Sequence, residues 1–213
     1  MRKLHYHPSN ASMAPHLLLE EIGAPFELVF VDRASGAHKA PAYLALNPNG
    51  LIPVLEDGDL VLFETAAICL HLADTHPQAA LAPAICTPQR AHFYKWLAWL
   101  TNTLQATLIV YFYPERWADA PEAVTQVKAH AEQKVGAMLD QLDTELARHG
   151  GPWLLGAEYS AADAYALMLC RWTRGLNRPA RSLPQLGPYL QRVLARPATQ
   201  RVFAREGLAQ PWV

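Results

Sequence analysis

Residues 51–63, LIPVLEDGDLVLF, form two apolar runs separated by Asp57-Gly58. An Asp-Gly pair between apolar runs is a strong hairpin signal, because these residues tolerate the backbone that a tight turn requires. An antiparallel pair here constrains everything around it. Ahead of it lie the strand-like KLHYH, the helical SMAPHLLLEEIG, the strand-like FELVFVD and a short helical PAYLAL; behind it lies the helical ETAAICLHLADTH. The order β-α-β-α-β-β-α predicts a small sheet carrying helices over residues 1–77, with Gly23 stopping the first helix and Pro77 following the last.

The grammar then changes. After a Pro- and Ala-containing connector, residues 89–113, 121–149, 160–175, 184–195 and 198–206 all have helical patterning, and Gly150-Gly151-Pro152 interrupts the run. The expected organisation is an α/β domain at 1–77, a linker at 78–88 and an all-helical domain at 89–213.

Composition narrows the function classes. A formal charge of −1 across 213 residues gives no support to nucleic-acid binding, which usually shows a concentrated basic face. Cys69, Cys86 and Cys170 are odd in number and widely spaced, so a reducing cytoplasm is expected, without a disulfide framework. The N-terminal MRKLHYHPSN lacks an apolar core, so no secretory signal is expected. The stretch from Trp96 to Tyr113 approaches membrane-spanning length, but Thr101, Asn102, Thr103, Gln105 and Thr107 interrupt it and favour a buried helix. The histidines show no HExxH-type spacing, so no metal is expected.

Pro53 stands inside the first apolar run of the hairpin, where it has no N–H for a sheet. One reading is an edge or bulge proline. The other is a cis Ile52-Pro53 bond that turns the Ile52 backbone outward, leaving its N–H and C=O to pair with an extended peptide-like ligand. Glu64-Thr65, opening the next helix, also has two readings. Both residues cap their own helix, or the helix start and the Thr65 hydroxyl receive a ligand carboxylate while Glu64 takes an ammonium. With the Pro53 edge, the second reading describes a pocket for a zwitterionic peptide.

NPNGLIPVL followed by ETAAI, on an α/β half joined to a helical half, resembles the cytosolic glutathione transferases along essentially the whole chain. The resemblance implies a thioredoxin-like first domain and a cis Pro53. It further implies that the Ile52 backbone pairs with the cysteine of glutathione, that Glu64 and Thr65 grip the γ-glutamyl end, and that Lys39, with His38 beside it, reaches the glycine carboxylate. Glutathione is then a co-substrate, and the protein a cytoplasmic homodimer. SAADAY, residues 160–165, carries the family's Ser/Thr-x-x-Asp box and is read as a structural helix cap.

Glutathione chemistry needs a thiolate, so hydrogen-bond donors are expected after the first strand. Tyr6, Ser9, Asn10 and Ser12 supply candidates. The look of this segment is closest to the bacterial beta class, but Ala11 occupies that class's cysteine position; Asn10 falls where delta-class enzymes have a serine, and the nu class uses an asparagine. Ser9 or Asn10 is the expected thiolate donor, with Ser12 and Tyr6 behind them; the competing reading is that Ser9, Asn10 and Ser12 only shape the turn. A small hydrophobic electrophile is expected against Gln105, Ile109, Phe112 and Tyr113, one face of the first long helix of the helical half, with Trp172 as a far wall. A glutathione-dependent disulfide reductase or peroxidase, and a glutathione-binding protein without turnover, are the alternatives.

Overall fold

A computed structural model describes residues 1–213, which divide into two compact units. The first comprises Met1–Ala82 and Leu194–Ala209. Its elements run β1 (Arg2–Tyr6), α1 (Met13–Ile22), β2 (Phe26–Phe30), α2 (Pro41–Leu44), β3 (Val54–Asp57), β4 (Leu60–Phe63) and α3 (Thr65–Thr75). The sheet order is β2-β1-β3-β4, with β1 and β2 parallel and the other pairs antiparallel. This is the expected thioredoxin-like arrangement. The hairpin turns where expected, Gly58 taking a φ of 62°.

Strand alternation assigns the faces of the sheet. Leu4 pairs with Leu55, both fully buried, while the next pair, His5 and Val54, turns to the other face, where Tyr43 of α2 packs. Helix α9 (Pro197–Arg205) also belongs to this unit. The sequence division at 78–88 places it in the helical half; here its Val202 and Phe203 are buried, and ion pairs tie it to α1. Glu20 of α1 takes Arg201 at 2.5 Å and Arg205 at 2.7 Å, Glu21 takes Arg196 at 2.5 Å, and the Arg205 guanidinium covers the Phe26 ring.

The second unit comprises Pro83–Val193 and Gln210–Val213. Its helices are α4 (Pro88–Trp99), α5 (Ala106–Phe112), α6 (Pro121–His149), α7 (Ala161–Trp172) and α8 (Leu186–Leu194). The continuous helix expected over 89–113 is instead α4 and α5 joined by a π-helical turn, Leu100–Gln105. Thr101 and Thr107 return their hydroxyls to the carbonyls of Leu97 and Thr103, a local competition that bends helices. Nearly every residue of α7 is buried, so it forms the centre of the unit. Its start is fully capped: Ser160 and Asp163 form a capping box, and Asp163 also accepts from the Leu154 N–H at 2.8 Å and the Tyr189 hydroxyl at 2.9 Å. No helix is long and apolar enough to cross a membrane.

Candidate functional site

The sheet register gathers four chain segments at one end of the first unit. Tyr6 and Phe30 end parallel strands as a pair, and His5, Val54 and Phe63 align across β1, β3 and β4. The turn after β1, the loop after β2, the loop entering β3 and the turn from β4 into α3 therefore all leave the sheet at this end. They carry Ser9 and Asn10, His38 and Lys39, Ile52 and Pro53, and Glu64 and Thr65.

In the first turn, Ser9 has a φ of 62°, a left-handed backbone that costs a non-glycine residue about 1–3 kcal/mol. The Asn10 N–H donates to the His7 carbonyl at 3.2 Å, and Asn10 Oδ1 accepts from the Ala11 N–H at 2.6 Å. That second bond fixes the side-chain amide with its NH2 directed away from the Ala11 amide. Neither the Asn10 NH2 nor the Ser9 hydroxyl makes a hydrogen bond within the protein. Ser12 differs: it is fully buried, and its hydroxyl donates to the His7 carbonyl and accepts from the His7 N–H. It closes the turn. The ring of Tyr6 packs edge-on against His16 and Phe30.

The Ile52-Pro53 bond is cis. The Ile52 side chain is buried with Val31, Tyr43 and Val54, but its backbone N–H and C=O enter neither the sheet ladder nor any loop hydrogen bond. The preceding carbonyl, by contrast, is held twice: Leu51 accepts from the Tyr43 hydroxyl at 2.9 Å and from Asn47 Nδ2 at 2.8 Å. Burial pushes the Tyr43 phenol up to about 12, so it remains a donor throughout the neutral range. The outcome is a braced loop with one unused backbone pair.

Lys39 lies over the same loop, donating from Nζ to the Asn49 carbonyl at 3.2 Å. Only glycine fits beneath it: a Cβ on Gly50, whose φ is 59°, would lie 2.7 Å from Lys39 Nζ and 2.8 Å from the His38 carbonyl. Burial, then the charges of Lys39, Arg33 and His7, lowers the His38 pKa, and its Nδ1 is buried without a partner. This corner of the unit is electropositive.

At the start of α3, Glu64 has φ 72° and ψ 113°, is exposed, and makes no capping hydrogen bond with its side chain. The Thr65 hydroxyl also has no partner in the protein. The expectation of self-capping is therefore not met for Glu64, and the first-turn N–H groups of α3 keep their positive end free of any side-chain acceptor. Strain at an exposed acidic residue beside unused donors suits a ligand clamp.

The remaining candidates are in the helical unit. Tyr165 donates to Gln105 Oε1, Phe112 packs edge-on against Trp172 with centroids 6.4 Å apart, and Arg116 covers the Tyr113 ring. Ile109 is half-buried on α5. Phe112 and Trp172 thus touch each other, while Gln105 is tied to a tyrosine that the sequence did not suggest. No group of three or more His, Cys, Asp or Glu side chains is arranged to hold a metal.

Comparison with known proteins matches both units. The glutathione S-transferase N-terminal domain family matches residues 1–74, and the glutathione S-transferase C-terminal domain family matches residues 87–196. A glutathione S-transferase from Xanthomonas campestris pv. campestris is 31% identical over 206 residues, covering 97% of this chain and 99% of the relative. The glutathione S-transferase structure from Xylella fastidiosa is 31% identical with a TM-score of 0.90, covering 98% of this chain and 100% of the other. A glutathione transferase homologue from Sulfitobacter, solved with bound glutathione, is 28% identical with a TM-score of 0.89, covering 98% and 99% of the two chains.

Proposed function

The chain belongs to the glutathione S-transferase family and is a glutathione transferase, and we propose that it ionises the glutathione thiol and directs the sulfur at a small hydrophobic electrophile. The observation that carries this reading is the pair of unused donors at one turn, the Ser9 hydroxyl and the Asn10 NH2, on the sheet end that also holds the unused Ile52 backbone. Glutathione in this reading lies extended along residue 52, its cysteine pairing with the Ile52 N–H and C=O as one more short strand. The γ-glutamyl carboxylate meets the Thr65 hydroxyl and the first amides of α3, its ammonium meets Glu64, and the glycine carboxylate meets Lys39.

The thiol then faces the start of α1. A free thiol with a pKa near ~8.5 is only slightly ionised at neutral pH, and lowering it by ~2 units takes about 2.7 kcal/mol of preference for the anion. Two hydroxyl or amide donors beside a helix N-terminus are of that order. Ser9 and Asn10 are the donors in this assignment, with Tyr6 behind them; Ser12 is left out because its hydroxyl closes its own turn. Ala11 contributes no sulfur, so the cysteine of glutathione is the reacting thiol and a mixed disulfide with the protein at this position has no basis. The electrophile is assigned to Gln105, Ile109, Phe112, Tyr113 and Trp172 of the helical unit, and the protein to the reducing cytoplasm as a homodimer.

Ultraviolet difference spectra of bound glutathione test the reading. Thiolate absorbance near neutral pH is expected for the wild type, and Ser9→Ala or Asn10→Ala should move its titration upward. A bound thiol that stays protonated at neutral pH would make the chain a glutathione binder without turnover, and two unmoved titrations would remove both donors from the mechanism. Faster turnover of a glutathionyl disulfide than of an aromatic halide would instead favour a reductase.

A further inference from the structure

The Ser9–Asn10 turn lacks an acceptor of its own at one position. The Asn10 and Ala11 amides bond within the turn, but the Ser9 N–H does not. The partner comes from 197 residues further along the chain: Glu206 Oε2 accepts the Ser9 N–H at 2.9 Å. The other oxygen, Oε1, lies 2.8 Å from His16 Nδ1, and the side chains of both His16 and Glu206 are fully buried. A carboxylate only accepts, so His16 donates from Nδ1, and its buried Nε2 makes no hydrogen bond.

We propose that Glu206 is a positioning residue for the thiol-activating turn: one carboxylate, carried on the end of α9, fixes the Ser9 backbone against His16 of α1 and so sets where Ser9 and Asn10 present their donors. This rests on the assignment of those two residues to the thiol. Glu206 is itself fixed, its N–H bonding to the Val202 carbonyl at 2.9 Å at the end of the helix. The other acids facing α9 are already engaged, Glu20 by Arg201 and Arg205 and Glu21 by Arg196. Glu206 carries the hydrogen bond from the end of α9 to the turn. A hydroxyl or amide that stabilises a thiolate acts through its alignment, so a support that holds the turn should tune the thiol even though it does not touch it.

The test compares bound-thiol titrations of the full-length wild type, Glu206→Ala and Arg201→Ala. Arg201→Ala removes an ion pair between α9 and α1 without touching the turn; it should lower the melting temperature and leave the titration in place. Glu206→Ala should raise the bound-thiol pKa by about one unit and lower kcat/KM at neutral pH about ten-fold, with kcat recovering as pH rises and KM for glutathione moving much less. Wild-type protein that ionises glutathione while Glu206→Ala titrates identically overturns the inference alone, and so does an equal shift in Arg201→Ala. Wild-type protein that does not ionise bound glutathione overturns the functional reading as well. Where alanine prevents folding, Glu206→Asp keeps the charge and withdraws it by one methylene; it should move the pKa in the same direction by less, and an unmoved pKa overturns the proposal.

Discussion

At the start of α7, Ser160 and Asp163 use their side-chain oxygens inside the protein: Asp163 accepts from Leu154, Ser160 and Tyr189, and the Ser160 hydroxyl accepts from the Ala162 N–H. At the start of α3, Glu64 and Thr65 use none of theirs. Both helix starts bring an acid and a hydroxyl to unpaired N–H groups. One is buried in ordinary geometry, whereas the other has an exposed acid with φ 72°. A helix start that satisfies itself is a folding device. One that leaves its donors open and carries strain is kept for a ligand, and the two should respond oppositely to mutation.

Asp163→Ala is the largest expected effect. It leaves the Ser160 and Leu154 amides and the Tyr189 hydroxyl buried without an acceptor, so unfolding in urea should show a loss of about 3–5 kcal/mol. Glutathione affinity per folded molecule should not change. Loss of binding in a folded Asp163→Ala protein would break the comparison. At the other helix start, Thr65→Val keeps shape and removes only the hydroxyl; isothermal calorimetry should report glutathione binding weaker by about 10- to 100-fold, the value of a charge-assisted hydrogen bond of about 1.5–3 kcal/mol. Its stability should stay near that of the wild type. A Thr65→Val protein that binds normally but unfolds early would make this hydroxyl structural after all.

Glu64→Gly sharpens the contrast because its two readouts should move apart. Glycine adopts positive φ without steric penalty, so the variant should gain about 1 kcal/mol of stability while binding glutathione more weakly, since the ammonium loses its partner. Stability that falls instead would mean that the Glu64 carboxylate supports the fold.

How much of this was legible in the sequence follows the range of the interactions. The hairpin about Asp57-Gly58 and the Ser160 box are local patterns whose physics is complete within a few residues, and the structure bears out both; for Pro53 the residues leave an edge proline and a cis bond open, the resemblance implies cis, and the bond is cis. The π turn at Leu100–Gln105 was not legible, because one wide turn leaves the helical patterning on either side of it intact. Nor was the packing of α9 with the first unit, or Glu206 on Ser9, since a bond across 197 residues leaves no spacing to read. Among the candidate thiol donors, the sequence places Ser12 only behind Ser9 and Asn10 and gives no ground for removing it. Burial separated them.

The smallest effect concerns the brace under the candidate peptide rim. Tyr43 and Asn47 both donate to the Leu51 carbonyl, one residue before the unused Ile52 backbone. Tyr43→Phe removes one of these bonds and leaves the ring in its cluster with Val31, Ile52 and Val54. The Leu51 carbonyl keeps its bond to Asn47, so stability should fall by about 1 kcal/mol or less and glutathione binding by about three-fold. Denaturation and calorimetry on the same preparation separate the two. If affinity falls as far as in Thr65→Val, the rim depends on its brace for position, and the recognising edge extends back into α2. If stability falls while affinity is untouched, the Ile52 backbone is held by its own buried side chain and Pro53, and the brace belongs with the capping box of α7 among the folding devices.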